Sequence, residues 1–319
     1  ECTLHPIYRI AVRNDEDSAF PRVLLRAARI ADALGLHRVS YVEDPQTPIS
    51  QILGRTDVVD TVRLPRTTLL NRAGDCDDTS ALLCSLYEAA GISTAIVTTP
   101  DHVLMAFDTG EAAGSSWLYE GAGFAVFLHD GRTWLPVETT VLSNGFFSAL
   151  RQATRRVEEA GGVERAGFVA TEAAKERYPT IPVPQTELNI PLPPIEEIRD
   201  RFLSGMEELQ RSVHTAAVAR LEDSTRGLDG VALSTRLSQL GALHSRFGEY
   251  RAAERALKRA ISEAPQSLLP SVNLATVYLQ IERANDALEV LQPLHERAPR
   301  ALQVNAMLAR ARLDLGQRA

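Results

Sequence analysis

Three residues whose types and order could form a catalytic site lie in the first half of this chain: Cys76, His102 and Glu138. Cys76 precedes a run with helical spacing of apolar residues, His102 begins an apolar segment, and Glu138 ends another. A cysteine becomes an efficient nucleophile when a nearby base takes its proton, and that base needs a third group to fix its orientation. The pattern therefore predicts acyl transfer through a cysteine–histidine–acid site.

The predicted surroundings of Cys76 contain features that favour a thiolate and features that oppose it. The residue lies after Gly74, at the predicted N-terminus of a helix, where the helix dipole stabilises an anion. Its backbone N–H is then available as an oxyanion donor, and the glycine leaves room for a chain or a substrate to approach. Three flanking acids oppose the thiolate, and some of them are expected to cap the helix. These acids are Asp75, Asp77 and Asp78.

Strand geometry separates the acids that could orient His102. Asp108 lies six residues further along the same predicted strand, about 20 Å away, so it is too distant. Asp101 points to the opposite face of that strand. Glu138 follows a later strand and is the best candidate. Asp130 is the second candidate, because the DG turn in which it lies is already a sufficient reason for an aspartate at that position.

The order of these segments resembles the transglutaminase-like superfamily, which has a papain-type fold. The resemblance is carried by G-D-C, a leucine-rich helix ending in A-G-I, a strand histidine and the motif W-x-x-x-[acid]-x-T, roughly over residues 50–145. It implies that Cys76 is the nucleophile, His102 the base and Glu138 the orienting acid, a position where the family usually has Asp. Bacterial members include cysteine peptidases, amidases and chains with tetratricopeptide repeats. The candidates for the family's upstream oxyanion side chain are Gln46 and Gln51.

Hydrophobic periodicity predicts the elements that must position these residues. Helices are expected over Phe20–Leu34 and after Cys76, with Gly91 as the stop of the second, and residues 146–178 are expected to be mostly helical. Short apolar segments with turn residues between them predict an antiparallel meander. The expected strands are Thr94–Thr98, Val103–Phe107, Ser116–Tyr119, Phe124–Leu128 and Thr133–Val137. With the resemblance, the fold class is an α+β papain/transglutaminase-like core, in which the cysteine-bearing helix packs on an antiparallel sheet, followed by an all-α segment.

The end of the chain repeats with a period of 34 residues. The same offset aligns Leu240 with Leu274, Ala253 with Ala287 and Pro265 with Pro299. This period, with small residues where two helices cross and proline at the repeat end, resembles the tetratricopeptide repeat. The match covers about residues 234–319, and its third copy begins at residue 302.

These segments predict three parts of the chain. A transglutaminase-like domain is expected over residues 1–177, a linker over 178–194 and a helical region with the repeats over 195–319. The linker holds six prolines in 17 residues, which favours extended polyproline conformation. A long helix is expected from about Ile195 to about Leu221.

Composition restricts the classes of function. The 319 residues carry a net charge of −7 without a run of basic residues, which argues against a nucleic-acid binder, and no apolar stretch is long enough to span a membrane. Three cysteines, Cys2, Cys76 and Cys84, do not indicate a disulfide framework, and Cys84 is expected to be structural. The chain begins with Glu1 rather than Met, which indicates a processed form or a fragment, and an exported, periplasmic location is favoured over the cytoplasm.

The sequence thus predicts a cysteine hydrolase that cleaves an amide bond in a peptide or protein, with the repeats recruiting a substrate or a protein partner. The alternatives are acyl transfer to an amine, as in a transglutaminase, and a non-catalytic peptide-binding scaffold. No cofactor is expected. The acids around Cys76 could attract Ca²⁺, but their spacing lacks the remaining ligands, so no metal site is predicted.

Overall fold

The computed structural model describes residues 18–42, 62–178 and 190–316. The chain divides into two compact units, residues 1–211 and 212–319. Cys2, Gln46, Gln51 and most of the predicted proline-rich linker lie outside the described residues. Among the helices described, none combines the length and the apolar character that a membrane crossing requires.

The first unit is an α/β region built on an antiparallel sheet. Its helices are α1 (Arg22–Leu36), α2 (Pro65–Asn71), α3 (Cys76–Ala89), α4 (Trp117–Gly121), α5 (Phe146–Glu159), α6 (Thr171–Arg177) and the first part of α7 (Ile195–Asp223). Its strands are β1 (Ser40–Tyr41), β2 (Ala73–Gly74), β3 (Thr94–Thr99), β4 (His102–Ala112), β5 (Phe127–His129), β6 (Arg132–Val137) and β7 (Gly167–Ala170). Strands β1 and β2 form a separate parallel pair.

The five-stranded sheet has the order β5-β6-β4-β3-β7, and all its pairs are antiparallel. Strand β4 is central, and residues 104–107 within it are fully buried, which requires cover on both faces of the sheet. The ring of Tyr87 on α3 packs edge-on against that of Phe107 on β4, 5.6 Å between centroids. The helix that carries Cys76 therefore packs on the sheet, as the sequence predicted.

The predicted meander is wrong in its order and in one of its elements. Strand β4 pairs with β6 rather than with the next strand along the chain. The segment predicted as a strand over Ser116–Tyr119 instead begins the helix α4, which buries Leu118 and Tyr119.

Strand β7 was not predicted, because its four residues lie inside a region with a helical pattern. It pairs with β3 at the edge of the sheet. A Cβ atom at Gly167 would lie 2.3 Å from Oγ1 of Thr98, so the pairing depends on the absence of a side chain there. Elsewhere, helix α1 and helix α7 confirm the predicted helices closely.

The second unit consists of helices in the part of the chain that the structure describes. After the end of α7 come α8 (Gly230–Arg246), α9 (Tyr250–Glu263), α10 (Leu268–Gln280), α11 (Ala284–Arg297) and α12 (Leu302–Asp314). The starts of α9 and α11, and of α10 and α12, are 34 residues apart, which matches the period in the sequence. The aligned residues Ala253 and Ala287 are fully buried. A Cβ atom at Gly241 would lie 2.4 Å from Cγ of Leu257, so α8 and α9 cross at a small residue.

Candidate active site

Cys76 is the first residue of α3, and its position follows from the local sequence. Asp75 is the N-cap, and its carboxylate accepts a hydrogen bond from the backbone N–H of Asp78 at 3.3 Å. The cysteine therefore lies where the helix dipole presents its positive end, and helices leave their first backbone N–H groups without intrahelical partners. Cys76 is 3% exposed.

The sheet brings His102 and Glu138 together although 36 residues separate them in the chain. His102 is the first residue of β4, and Glu138 directly follows β6. Because the two strands are antiparallel neighbours, with Met105 opposite Val137, the start of β4 and the end of β6 lie at the same edge. Nε2 of His102 lies 2.8 Å from Oε2 of Glu138, and both side chains are buried.

Cys76 is the other group that acts on the His102 imidazole, through a side-chain contact that raises its pKa, so the ring interacts with both the cysteine and the acid. Since Nε2 faces Glu138, Nδ1 is the ring nitrogen left for the thiol. Burial lowers the pKa of His102, but the contacts with Cys76 and Glu138 outweigh it and raise the pKa to about 9. The ring is therefore expected to be protonated at neutral pH, as an imidazolium partner of a thiolate must be.

The carboxylate of Glu138 is held by several donors. Its Oε1 accepts from the backbone N–H of Thr140 at 3.1 Å and from the Thr140 hydroxyl at 2.6 Å. Nε of Arg156 lies 3.8 Å from Oε2, the oxygen that faces His102. Burial works to raise the pKa of Glu138, but the bond and charge of His102 and the Thr140 donors hold it below the ordinary value. Glu138 is therefore an ionised carboxylate despite its 1% exposure.

The other acids considered for the orienting role point elsewhere. Oδ2 of Asp108 is paired with Nε of Arg132 at 3.1 Å, and its Oδ1 accepts from the N–H of Gly110. Asp130 has a side chain that is 85% exposed, in the turn between β5 and β6. Asp101 accepts a hydrogen bond from the neighbouring Thr99.

Gly74 was expected to leave room for a chain or a substrate, but in the structure it leaves room for packing within the protein. A Cβ atom there would lie 2.7 Å from Cβ of Asp78 and 2.9 Å from Cγ2 of Thr68. The close approach at this glycine is therefore made by α2 and α3 of the protein itself, and the glycine lets the two helices meet just before Cys76. Within the residues described, this packing is a sufficient reason for glycine at this position.

Cys84 lies on the same helix as Cys76 and is almost equally buried, 5% against 3% exposed. Burial raises the pKa of Cys84 to about 12, so this thiol stays protonated at neutral pH. The two cysteines can therefore be compared directly, because they lie on the same helix and are similarly buried. In the part of the chain described, only Cys76 has a histidine partner.

The acids around Cys76 lie close together, and the contacts of two of them explain their positions. The carboxylates of Asp75, Asp77 and Asp78 lie within 4.8 Å of one another. Asp75 caps α3, and Asp78 accepts from the backbone N–H of Arg63 at 2.6 Å and pairs with its guanidinium at 3.3 Å. Burial raises the pKa of Asp78, which the contacts with Arg63 oppose.

Sequence reasoning missed four hydroxyl residues that surround the site. Thr140 holds Glu138, and its position in the motif W-x-x-x-[acid]-x-T was the available signal. The hydroxyl of Thr139 lies 2.8 Å from that of Thr79 and 3.2 Å from that of Ser80, and all three residues are buried. Nothing in the spacing of these residues marks them, because they meet only when α3 packs against the segment after β6.

Comparison with known proteins identifies the C-terminal repeats. A sequence profile of the family described as tetratricopeptide repeat matches residues 246–311. This match confirms the predicted repeats in that range and indicates a role in protein interaction. No curated protein matches the chain. No solved structure matches it either.

Proposed function

We propose that this protein is a cysteine hydrolase of the transglutaminase-like type that cleaves an amide bond in a peptide or protein. The observation that carries the proposal is the buried chain of contacts from Cys76 through His102 to Glu138, with His102 Nε2 and Glu138 Oε2 2.8 Å apart. These three residue types in this order of contact are those of a nucleophile, a base and an orienting acid. The cysteine-bearing helix on an antiparallel sheet supports a papain-type core for the first unit.

The proposed reaction uses Cys76 as the nucleophile and His102 as the acid and base. The thiolate of Cys76 attacks the amide carbonyl carbon, a C–S bond forms, and the carbonyl π electrons move onto oxygen. When this intermediate collapses, the C–N bond breaks and the leaving amine takes the proton of the His102 imidazolium. Water then attacks the thioester carbon while neutral His102 accepts a proton from that water. The C–S bond breaks, the carboxylic acid leaves, and the thiolate of Cys76 and the imidazolium of His102 are restored. Glu138 keeps the ring oriented and stabilises its cationic form.

The acceptor that releases the acyl group decides between hydrolysis and transamidation. Both reactions use the same thioester, and an amine in place of water gives a new amide bond. We propose hydrolysis because the resemblance extends to bacterial peptidases and amidases. The tetratricopeptide match over residues 246–311 supports the further proposal that the repeats recruit a protein substrate or partner.

The experiment that tests the proposal compares Cys76 with Cys84 in the full chain. Alkylation by iodoacetamide is followed at each cysteine by peptide mass spectrometry between pH 5 and pH 9. Because the two thiols are similarly buried, a difference in rate reports chemistry rather than exposure. We expect Cys76 to react at least about 10-fold faster than Cys84 below pH 7, since a histidine partner activates a cysteine nucleophile.

The control variant for this experiment is His102→Ala, in which the fast reaction of Cys76 should disappear. Equal and slow alkylation of Cys76 and Cys84 in the wild-type chain would contradict the proposal. That result would favour the peptide-binding scaffold, in which Cys76 is a buried packing residue.

A further inference from the structure

A chain of buried hydroxyl groups connects the segment after Glu138 to the peptide bond that precedes Cys76. Oγ of Ser80 lies 3.2 Å from Oγ1 of Thr139, which lies 2.8 Å from Oγ1 of Thr79. Oγ1 of Thr79 in turn donates to the backbone carbonyl of Asp75 at 2.7 Å. Ser80 is fully buried, and Thr79 and Thr139 are 3% and 4% exposed, so water has little access to these bonds.

Counting protons fixes the direction of this hydroxyl chain. A hydroxyl has one proton to donate, and a carbonyl can only accept. Thr79 therefore donates its proton to the Asp75 carbonyl at 2.7 Å, with a longer contact to the Cys76 carbonyl at 3.4 Å, because two acceptors 2.7 Å apart with no proton between them would repel. Towards Thr139 it can then only accept, so Thr139 donates to Thr79, and Ser80 donates to Thr139. Every bond points the same way, which strengthens each of them.

The chain ends on the peptide group that carries the Cys76 N–H. The carbonyl of Asp75 and the N–H of Cys76 belong to one planar unit, so holding the oxygen also fixes the direction of the N–H. The Asp75 carbonyl accepts two bonds, from the Thr79 hydroxyl at 2.7 Å and from the Thr79 N–H at 3.1 Å. Hydrogen bonds accepted by a carbonyl polarise its amide and make the N–H a stronger donor.

We propose that the hydroxyls of Thr139 and Thr79 orient and polarise the Cys76 N–H as the oxyanion donor of the active site. The inference rests on the proposed function, because an oxyanion forms only if Cys76 attacks a carbonyl. Thr79 and Thr139 are positioning residues, since they act through the Asp75–Cys76 peptide. The arrangement also links α3, which carries the nucleophile, to the segment that carries Glu138.

The test uses two reagents that react with the same thiol through different transition states. Iodoacetamide alkylates the thiol at a saturated carbon: a C–S bond forms, the C–I bond breaks, iodide leaves and no oxyanion forms. p-Nitrophenyl acetate acylates the thiol through a tetrahedral oxyanion, and p-nitrophenolate leaves. The rates of both reactions at Cys76 are measured in the full chain by peptide mass. Their ratio reports stabilisation of the oxyanion independently of how reactive the thiol is.

The informative variants are Thr139→Val and Thr79→Val, which keep the side-chain shape and remove the hydroxyl. We expect acylation to fall about 10-fold, less than the 10²–10³-fold known for loss of a direct oxyanion donor, while alkylation stays within about twofold. Thr79→Ser restores the hydroxyl and should restore acylation. Ser80→Ala removes the hydroxyl at the far end of the hydroxyl chain and should lower the acylation rate by a smaller factor. This variant replaces a valine variant that does not fold.

The matched control is Thr154→Val. Thr154 is another buried threonine of the first unit, with its hydroxyl bonded to the carbonyl of Leu150 at 3.0 Å and to the N–H of Ala125 at 3.1 Å. The Thr154→Val variant should lose about as much folding stability as Thr139→Val and Thr79→Val, but it should keep the wild-type ratio of acylation rate to alkylation rate.

Three results would count against these ideas, and they are distinguishable. An unchanged ratio in both valine variants would overturn the hydroxyl chain and leave the proposed function standing. An equal fall of both rates would also overturn it, because the hydroxyls would then merely hold the thiol in place. If the wild-type chain shows no reaction of Cys76 that depends on His102, the proposed function itself fails.

Discussion

His102 in the first unit and the pair His214 and His244 in the second unit, called the repeat unit (residues 212–319), stand in opposite electrostatic environments. His102 faces a carboxylate and a thiol, and its pKa is raised to about 9. His214 on α7 and His244 on α8 face each other, with Nε2 and Nδ1 3.2 Å apart. Burial lowers the pKa of both, and the charge of His214 lowers that of His244 further.

The partner of a histidine, rather than its burial alone, therefore decides its charge. Burial disfavours the imidazolium in all three cases, yet only His102 has a carboxylate and a thiol that outweigh it. Two imidazoles can share a hydrogen bond, but they gain nothing from carrying two positive charges. A charged histidine in the first unit is suited to acid–base chemistry, whereas the pair His214 and His244 joins two helices of the repeat unit.

The largest expected effect comes from removing the charge of Glu138. In Glu138→Gln the amide can still contact His102 but no longer stabilises its positive charge. We expect the pKa of His102, measured by NMR titration of its ring protons, to fall by more than one unit. The rate of Cys76 acylation by p-nitrophenyl acetate should fall on the order of 10²-fold or more, because the positive charge of the His102 ring is less stabilised and the ring is less firmly oriented.

The matched control for this change is Asp108→Asn. Asp108 is another carboxylate of the same sheet, paired with Arg132 at 3.1 Å rather than with a histidine. Its loss should leave the pKa of His102 and the acylation rate within experimental error of the wild-type values. Equal effects of the two variants would mean that Glu138 has no special relation to the ring.

A smaller effect is expected from pH on the repeat unit. Because the folded pKa values of His214 and His244 are lowered, the unfolded chain binds more protons near pH 6, and stability rises with pH through that window. Acidification from pH 7 to pH 5 should therefore weaken the packing of α8 on α7. The contribution of His102 has the opposite sign, since it is complete below about pH 6.5 and is lost as pH rises through about 9.

NMR titration and amide hydrogen exchange of the full chain measure these two responses. Exchange in α8, corrected for its intrinsic pH dependence, should accelerate on acidification. The groups whose charges act on the pair also matter: Glu249 acts on both rings, and Glu222 and Arg255 act on His244. A midpoint above 6.5 for either ring would show that these acids dominate and would remove the contrast with His102.

The smallest effect is expected for Arg156. Its Nε lies 3.8 Å from the oxygen of Glu138 that faces His102, so its charge competes with the imidazolium for that carboxylate. In Arg156→Gln the pKa of His102 should rise by less than one unit, because the arginine side chain is 38% exposed and water screens its charge. Arg156→Lys keeps the charge and should keep the wild-type titration. A fall of the pKa in Arg156→Gln would refute competition.

Features that depend on neighbours along the chain could be predicted from the amino-acid sequence. The start of α3 at Cys76 follows from its cap and its apolar spacing, and the repeat period follows from residues 34 positions apart. The pairing of Glu138 with His102 was also predicted, because strand geometry excluded Asp101 and Asp108. These inferences succeed because helix and strand periodicity are properties of the local backbone.

Features that form where distant segments meet could not be predicted and required the three-dimensional structure. The order of the strands, the edge strand β7 and the helix α4 depend on packing that short segments do not encode. The role of Gly74 also depends on packing, because it lets α2 approach α3. The hydroxyls of Thr79 and Thr139 are 60 residues apart and acquire their partners only when α3 packs against the segment after β6. Hydrogen bonds between side chains are short-ranged, so no spacing in the sequence reveals them.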